Sequence, residues 1–393
     1  MWEQVKLSDL TEFHKQGFYT TESYDESKKY YLLRGTDLTG NKLTIHDDTP
    51  KINASEKEFN DFKVEVGDVL LVRSGGVGTY GIVYDEVQGI FGSYLIDFRF
   101  DQTQMLNEFF GYFYESDLFK QQLRRISQQS ANLNINAENI KSISIDLPSI
   151  EEQKKIEGIL KQIDNLIALQ QQQLDLYTKL KKGLLQKLFP KDGEKIPRVR
   201  FADFHEDWEQ RKLKDLANVI GGGTPSTKIG EYWNGDIDWY SPVEIGKSIF
   251  VNHSQKRITK LGLNKSSAKI LPINTLLFTS RAGIGNTAIL KKEGTTNQGF
   301  QSIVPIKDKL DIYYLYSNSD KLKRYGERVG GGSTFTEVSG KQMKEMPITI
   351  PTIHEQKNIG HIFQLLDFQI ILQENNLKKL KQLKKFLLQK LFI

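Results

Sequence analysis

The sequence predicts a mixed α/β chain of two similar modules, each closed by a long amphipathic helix, so that the whole is a pseudo-two-fold duplication. Three observations carry this. Residues 147–189 and 350–392 align without a gap at an offset of 203 (351 − 148, 367 − 164 and 392 − 189), which places Pro148 on Pro351, Asp164 on Asp367 and Phe189 on Phe392, with about half the positions identical. A repeat of that length sets the architecture before any local reading. The opening WEQVKLSDL at Trp2 returns as WEQRKLKDL at Trp208. Between these landmarks, both halves show short β-type runs broken by Gly, Asn, Asp and Pro clusters, together with amphipathic helical stretches.

The 393 residues, 38% hydrophobic and 26% charged, suit two folded domains with connecting structure. There are no cysteines, which removes disulfides, thiolate zinc sites and a cysteine nucleophile. No apolar run approaches the roughly 20 residues of a membrane span, and the start lacks a secretory pattern. A cytoplasmic protein without a membrane partner is therefore expected. The net charge of +5 is mildly basic. Much of the excess lies in the lysine-rich ends of the long helices, where cations complement the helix dipole.

Taken in order, the first module (residues 1–146) offers the strand-like runs KKYYLLRG, KVEVGDVLLVRS, GIVYDE and GSYLIDFRF, then a helical stretch, NEFFGYFYESDLFKQQLRRI. A long helix follows over 147–190. The linker 191–206 is rich in Pro, Gly and charge, as a boundary should be. The second module (207–349) repeats the plan with DIDWYSPVEI, ILPINTLLFTS, TAILKKE and FQSIVPI, then a helix near DIYYLYSNSDKLKRYGERV, and a second long helix closes the chain over 350–393. In each module an apolar run enters a glycine-rich turn, VLLVRSGGVG at 69–78 and TLLFTSRAGIG at 275–285.

Each long helix starts after Pro148 or Pro351 with a capping-box pattern, Ser149 to Glu152 and Thr352 to Glu355. Ile156, Leu160, Ile163, Ile167, Leu174, Tyr177, Leu184 and Leu188 recur at spacings of three and four, and Ile359, Phe363, Leu366, Ile370, Leu377, Leu380, Leu387 and Leu391 repeat them. This is a coiled-coil seam. It is interrupted by polar residues at equivalent places, Gln170 and Lys181 in one copy and Gln373 and Lys384 in the other, which can fix register and pairing. At about 1.5 Å per residue the rod is about 60 Å long. A rod with such a stripe needs a partner, and its own copy is the nearest candidate.

No catalytic signature accompanies this frame. GGGTPSTK at 221–228 lacks the second glycine of a phosphate-binding loop, no HExxH or GxSxG occurs, and the six histidines are scattered. No metal site and no catalytic residue are expected. What remains is loop chemistry that can read base edges and hold phosphate: Ser226, Thr227, Lys228, Tyr232, Arg281, Asn286, Asn297, Gln298 and Gln301 in the second module, and Arg34, Thr36, Arg73, Ser74 and Tyr80 in the first. Arginine pairs with guanine, Asn and Gln with adenine, and Lys, Ser and backbone amides with phosphate.

The two WEQ-KL-DL openings, GGGTPST at 221–227, YWNGDIDWYSPVEI at 232–245, TSRAGIGNTAI at 279–289, TNQGFQSI at 296–303 and the two helices ending in LLQKLF together resemble the DNA-specificity (S) subunits of type I restriction-modification systems. The resemblance covers essentially the whole chain and is closer in the second module. It implies two target-recognition domains, each reading one half of a bipartite double-stranded DNA site. It also implies that the two long helices pack antiparallel between them as a spacer. The subunit itself would be non-catalytic and without cofactor, beside two modification subunits that carry S-adenosylmethionine and two restriction subunits that use ATP and magnesium. A recognition subunit of a fused methylase-nuclease system, or a helical scaffold that binds proteins, are the alternative readings.

Overall fold

The computed structural model describes residues 2–21, 23–73, 78–126, 135–281, 283–331 and 337–392. The chain forms two compact units, Met1–Gln172 with Asn375–Ile393, and Gln173–Glu374. Each unit therefore takes part of both long helices, Ile150–Lys187 and Ile353–Leu391. Both units are mixed α/β, as the run pattern predicts.

Unit 1 holds a six-stranded sheet in the order Thr11–Gln16, Leu95–Phe100, Val69–Val72, Tyr80–Ile82, Lys42–Leu43, Leu38–Thr39. A three-stranded sheet sets Tyr30–Leu33 between antiparallel Lys51–Ile52 and parallel Gly89–Phe91. Glu3–Lys6 pairs with Ser144–Leu147, the strand that leads into the long helix. Unit 2 repeats this plan. Its larger sheet runs Ala217–Gly221, Gln301–Pro305, Leu276–Phe278, Thr287–Leu290, Phe250–Val251. Its three-stranded sheet sets Trp233–Tyr240 between antiparallel Lys256–Ile258 and parallel Thr295–Thr296, and Glu209–Lys212 pairs with Pro347–Ile350. The duplication read from the helices and openings thus extends through the divergent middles.

The long helices are built into these modules. In unit 1, Ile156 and Leu160 of one helix and Leu388 and Phe392 of the other share a core with Phe98, Phe109, Phe113 and Phe119. In unit 2, Leu188 and Phe189 join Ile359 and Phe363 around Trp208, Phe278 and Tyr314. Within each unit the start of one helix meets the end of the other, so the two segments run antiparallel. Seam residues are buried near each helix start, at Leu188 and at Leu377, whereas Ile167, Leu174, Tyr177, Leu184, Ile370, Leu380, Leu387 and Leu391 are only half-buried.

The lysine interruptions carry the register. In unit 1 the Lys384 ammonium lies 2.8 Å from Asp164 and 2.7 Å from Glu115, and Tyr112 donates its hydroxyl to Asp164 at 3.0 Å. In unit 2 Lys181 pairs with Asp367, which also accepts from the Tyr313 hydroxyl at 2.8 Å. Lys181 and Lys384, and Asp164 and Asp367, are each related by the repeat offset, so one interaction is used twice with the helices exchanging roles. Burial works to lower the Lys384 ammonium, but Glu115 and Asp164 outweigh it and hold it above the ordinary lysine value. A second repeated device anchors the helix starts. Gln153 gives its amide to the carbonyls of Pro148 and Gln104 and accepts from the Leu106 amide at 2.9 Å, and Gln356 treats Pro351, Lys309 and Asp311 in the same way.

The capping boxes are only partly as expected. Ser149 and Thr352 accept from the Glu152 and Glu355 amides, each at 3.4 Å. Glu355 does not reach back; its fully buried carboxylate takes both forks of the Arg200 guanidinium at 2.8 Å. Arg200 belongs to the linker, which folds onto unit 2 rather than hanging free.

Candidate nucleic-acid interface

The loops that follow equivalent strands gather at the same end of the sheets in both units, because the backbone laces them alike. After the first strand of the larger sheet, Gly17 and Gly222 lie so close to the next loop that a Cβ would sit 2.0 Å from the carbonyl oxygen of Gly92 or Asn297, so only glycine fits. Beyond the central strand, the Arg73 amide donates to Tyr94 at 3.0 Å and the Ser280 amide to Gly299 at 2.8 Å. The carbonyls of Arg73 and Ser280 in turn accept from Ile135 and Val338, at 2.8 and 3.0 Å. After the middle strand of the smaller sheet, Asp37 accepts from the Arg34 amide at 2.7 Å and Glu244 from the Ser241 amide at 2.8 Å, closing equivalent single turns.

In unit 1 these loops enclose an open cleft of about 610 Å³ lined by Tyr19, Tyr24, Arg34, Thr36, Thr79 and Tyr94. Arg34 is held by Asp37 through Nε at 3.2 Å and Nη2 at 3.1 Å, with Asp48 at 3.5 Å. The hydrogen bond to Asp37 raises the guanidinium above its ordinary value, so Arg34 remains a fixed cation. Thr36 is exposed at the rim. Arg73 is half-buried, with its backbone spent on the loop lacing. Ser74, and the glycines Gly75 and Gly76 of the same turn, lie outside the described residues.

Tyr80, expected to face DNA, is corrected to a core residue. It is 3% exposed, and a Cβ on Gly111 would lie 2.2 Å from its ring. Conversely, the cleft carries three tyrosines that the loop reading missed, Tyr19, Tyr94 and Tyr24, at 75%, 69% and 62% exposure. Their sequence signal is position alone, since each lies in or beside a glycine-containing loop.

In unit 2, Arg281, Asn297 and Gln298 are brought together around Gly299, where a Cβ would meet Asn297 Oδ1 and the Pro242 ring at 3.0 Å and Arg281 Nε at 3.5 Å. Asn297 Oδ1 is spent on the turn, accepting from the Gly299 amide at 2.8 Å, and the Gln298 carbonyl oxygen accepts from the Thr224 hydroxyl. Among the described residues Glu337, at 3.8 Å, is the one ion-pair partner of Arg281, which is over a third exposed. Asn286 is exposed beside Gly246, and Ser226, Thr227 and Lys228 are exposed in the preceding loop, where the Ser226 carbonyl accepts from Trp233 Nε1 at 3.1 Å.

Two expected residues lie apart from this group. Tyr232 is half-buried, and its carbonyl accepts from the Thr259 amide at 3.0 Å under the short helix Lys260–Asn264. Gln301, a strand residue, turns its side chain to Gly340, where a Cβ would lie 2.8 Å away. Trp239 is core, with Nε1 bound to the Gly223 carbonyl at 2.8 Å. Among the described residues no group of three or more His, Cys, Asp or Glu side chains could hold a metal ion, and no helix is long and apolar enough to cross a membrane.

The type I restriction modification DNA specificity domain matches the chain twice, over residues 1–177 and 205–382. The MjaIX specificity subunit of Methanocaldococcus jannaschii is 40% identical over 188 residues, a match that spans 47% of this chain and 43% of that relative. The putative MjaX specificity subunit of the same organism is 25% identical over 398 residues, spanning 98% of this chain and 91% of that one. The crystal structure of the type I restriction-modification S subunit from M. genitalium superposes with a TM-score of 0.65 at 15% identity, covering 100% of this chain and 96% of that one, a likeness of fold. Two specificity domains on two units of one topology, one of them held by a glycine-laced cluster of arginine and amides, place the chain in the type I restriction-modification DNA specificity family.

Proposed function

We propose that the chain is the DNA sequence-recognition subunit of a type I restriction-modification complex, with unit 1 and unit 2 each reading one half of a bipartite, gapped, double-stranded site. The observation that carries this reading is the repeated loop scaffold with different side chains on it. A shared frame presents both readers, while tyrosines with arginine in one and arginine with amides in the other suit different sequences. The target-recognition domains would be residues 1–146 and 207–349. Linking two readers in one chain raises the effective concentration of the second contact after the first.

The residues proposed to meet DNA are Arg34, Thr36 and Arg73 in unit 1, and Ser226, Thr227, Lys228, Arg281, Asn286, Asn297 and Gln298 in unit 2, with the three exposed tyrosines added. The long helices are proposed as an antiparallel coiled-coil spacer that sets the gap, related by a pseudo-two-fold. What supports this is the Lys–Asp pair used once in each unit. The chain would supply no catalysis. In a cytoplasmic complex, two modification subunits would bring S-adenosylmethionine, and two restriction subunits ATP and magnesium. Inserting or deleting a few residues within both helices should change the unspecified gap and leave both half-sites intact. A change in either half-site would contradict the spacer role.

A further inference from the structure

We propose that the outward basic face of the helix Ser319–Gly330 clamps DNA phosphates flanking the half-site read by unit 2, an inference that rests on the reading of that unit's loops as a base-reading surface. The inner side of this helix is fastened to those loops. Leu322, Gly326 and Gly330 are buried, and a Cβ would lie 2.9 Å from Ile284 at Gly326 and 3.2 Å from it at Gly330. Lys323 packs against the turn itself, since a Cβ on Gly285 would meet its Cγ at 2.3 Å. The helix therefore runs alongside the loop that presents Arg281 and Asn286.

At 3.6 residues per turn, Lys321, Arg324 and Arg328 fall together on an outward arc, about a third of a turn from Lys323. With Lys191 and Tyr325 they line a groove of about 450 Å³. Among the described residues these four cations make no ion pair, and Asp192 is the one carboxylate of the groove lining. Lys321 instead donates to the Pro190 carbonyl at 2.8 Å, and Arg328 lies 5.5 Å over the Tyr325 ring. Glu345 is already held by Lys212 and Lys214 at 2.6 Å each, and the helix's own Asp320 and Glu327, both exposed, leave it two positive charges in excess. Burial depresses the Lys321 ammonium, opposed by Asp192, with Arg324 adding a smaller push downward.

Such a surplus calls for an anion, and position favours DNA. A helix with its side chains is about 10–12 Å across. The basic arc is thus one helix width from the base-reading loop, comparable with a major groove about 12 Å wide and hence with the step from base edges to a flanking backbone. The face belongs to unit 2. The repeat offset places buried Phe119 on Leu322 and buried Leu123 on Gly326, which sets Leu118, Gln121 and Arg125 where unit 2 has Lys321, Arg324 and Arg328.

The test uses the subunit assembled with its modification partner, comparing wild type, the double variant Arg324→Ala/Arg328→Ala and the charge-keeping Arg324→Lys/Arg328→Lys. The alanine pair should weaken DNA binding uniformly across sequences and lower the slope of log K against log salt by about two. The methylated motif should stay unchanged, and the lysine pair should restore the slope. An unchanged slope overturns the clamp. So does a defect traced by native mass spectrometry to lost subunit assembly, which would assign the groove to an acidic protein partner. Failure of the underlying reading looks different, because the wild-type complex would then bind without sequence preference.

Discussion

Unit 1 and unit 2 share the order of their sheets, the lacing of their loops, the buried glutamine at the foot of each long helix and the lysine–aspartate pair joining the helices. They part company at three places. The carboxyl pair Asp68, just ahead of its strand, and Asp97, within one, 1% and 0% exposed, occupies positions that in unit 2 hold buried Thr275 and Ser302. Glu152 is exposed, whereas its repeat Glu355 is buried on Arg200. The loops carry exposed tyrosines beside Arg34 and Arg73 in one unit, and Arg281 with amides in the other. The shared features are backbone frame or join a module to its helices, so packing constrains them. The differing ones lie in a sheet interior, under the linker and at the reading surface, where each unit answers to its own neighbours.

The largest expected effect breaks the second difference. Arg200→Ala leaves the Glu355 carboxylate buried without a partner and should destabilise unit 2 by roughly 3–5 kcal/mol. Glu152→Ala, on the exposed repeat, should stay within about 0.5 kcal/mol. Hydrogen exchange resolved by unit checks both, and equal effects would show that the two glutamates are equivalent after all.

The first difference predicts a pH dependence confined to unit 1. Burial, and the Asp68 carboxylate beside it, push Asp97 up to about 8 against the pull of Arg99. A carboxyl that holds its proton more tightly when folded contributes stability that is complete below its unfolded value near 4 and is lost as pH rises through about 8. Unit 1 should therefore lose roughly a few kcal/mol across that window, and unit 2 should not. Asp97→Asn should flatten the profile, and an unchanged slope would place the titration elsewhere.

The third difference is probed at the bases. Arg281→Ala should cost roughly 1–3 kcal/mol of discrimination and relax one position of one half-site, leaving the other half-site intact. Tyr94→Ala should act only on the opposite half-site, by a smaller amount. Methylation-motif sequencing of each variant reads both, and an effect of either variant on the other unit's half-site would dissolve the assignment.

Much of this architecture was legible because repeats and periodicities are local or internal to the sequence. The constant offset found the helices, and Lys181 and Lys384 stood out as breaks in an apolar stripe. Tyr80 was misread because its strand is buried on both faces, so the residue between two glycines looked like a loop when it is a core ring against Gly111. Arg200 and Glu355 lie 155 residues apart, and no local pattern links them. No local pattern sets the cleft tyrosines apart from interior aromatics, and only the fold shows that Tyr19, Tyr24 and Tyr94 converge on an open surface.

The central claim is that one frame, used twice, reads two different half-sites. Sequencing the methylome of cells that carry this chain with its modification partner tests it most directly. The account predicts a gapped motif with two unlike halves; a continuous or palindromic motif would contradict it.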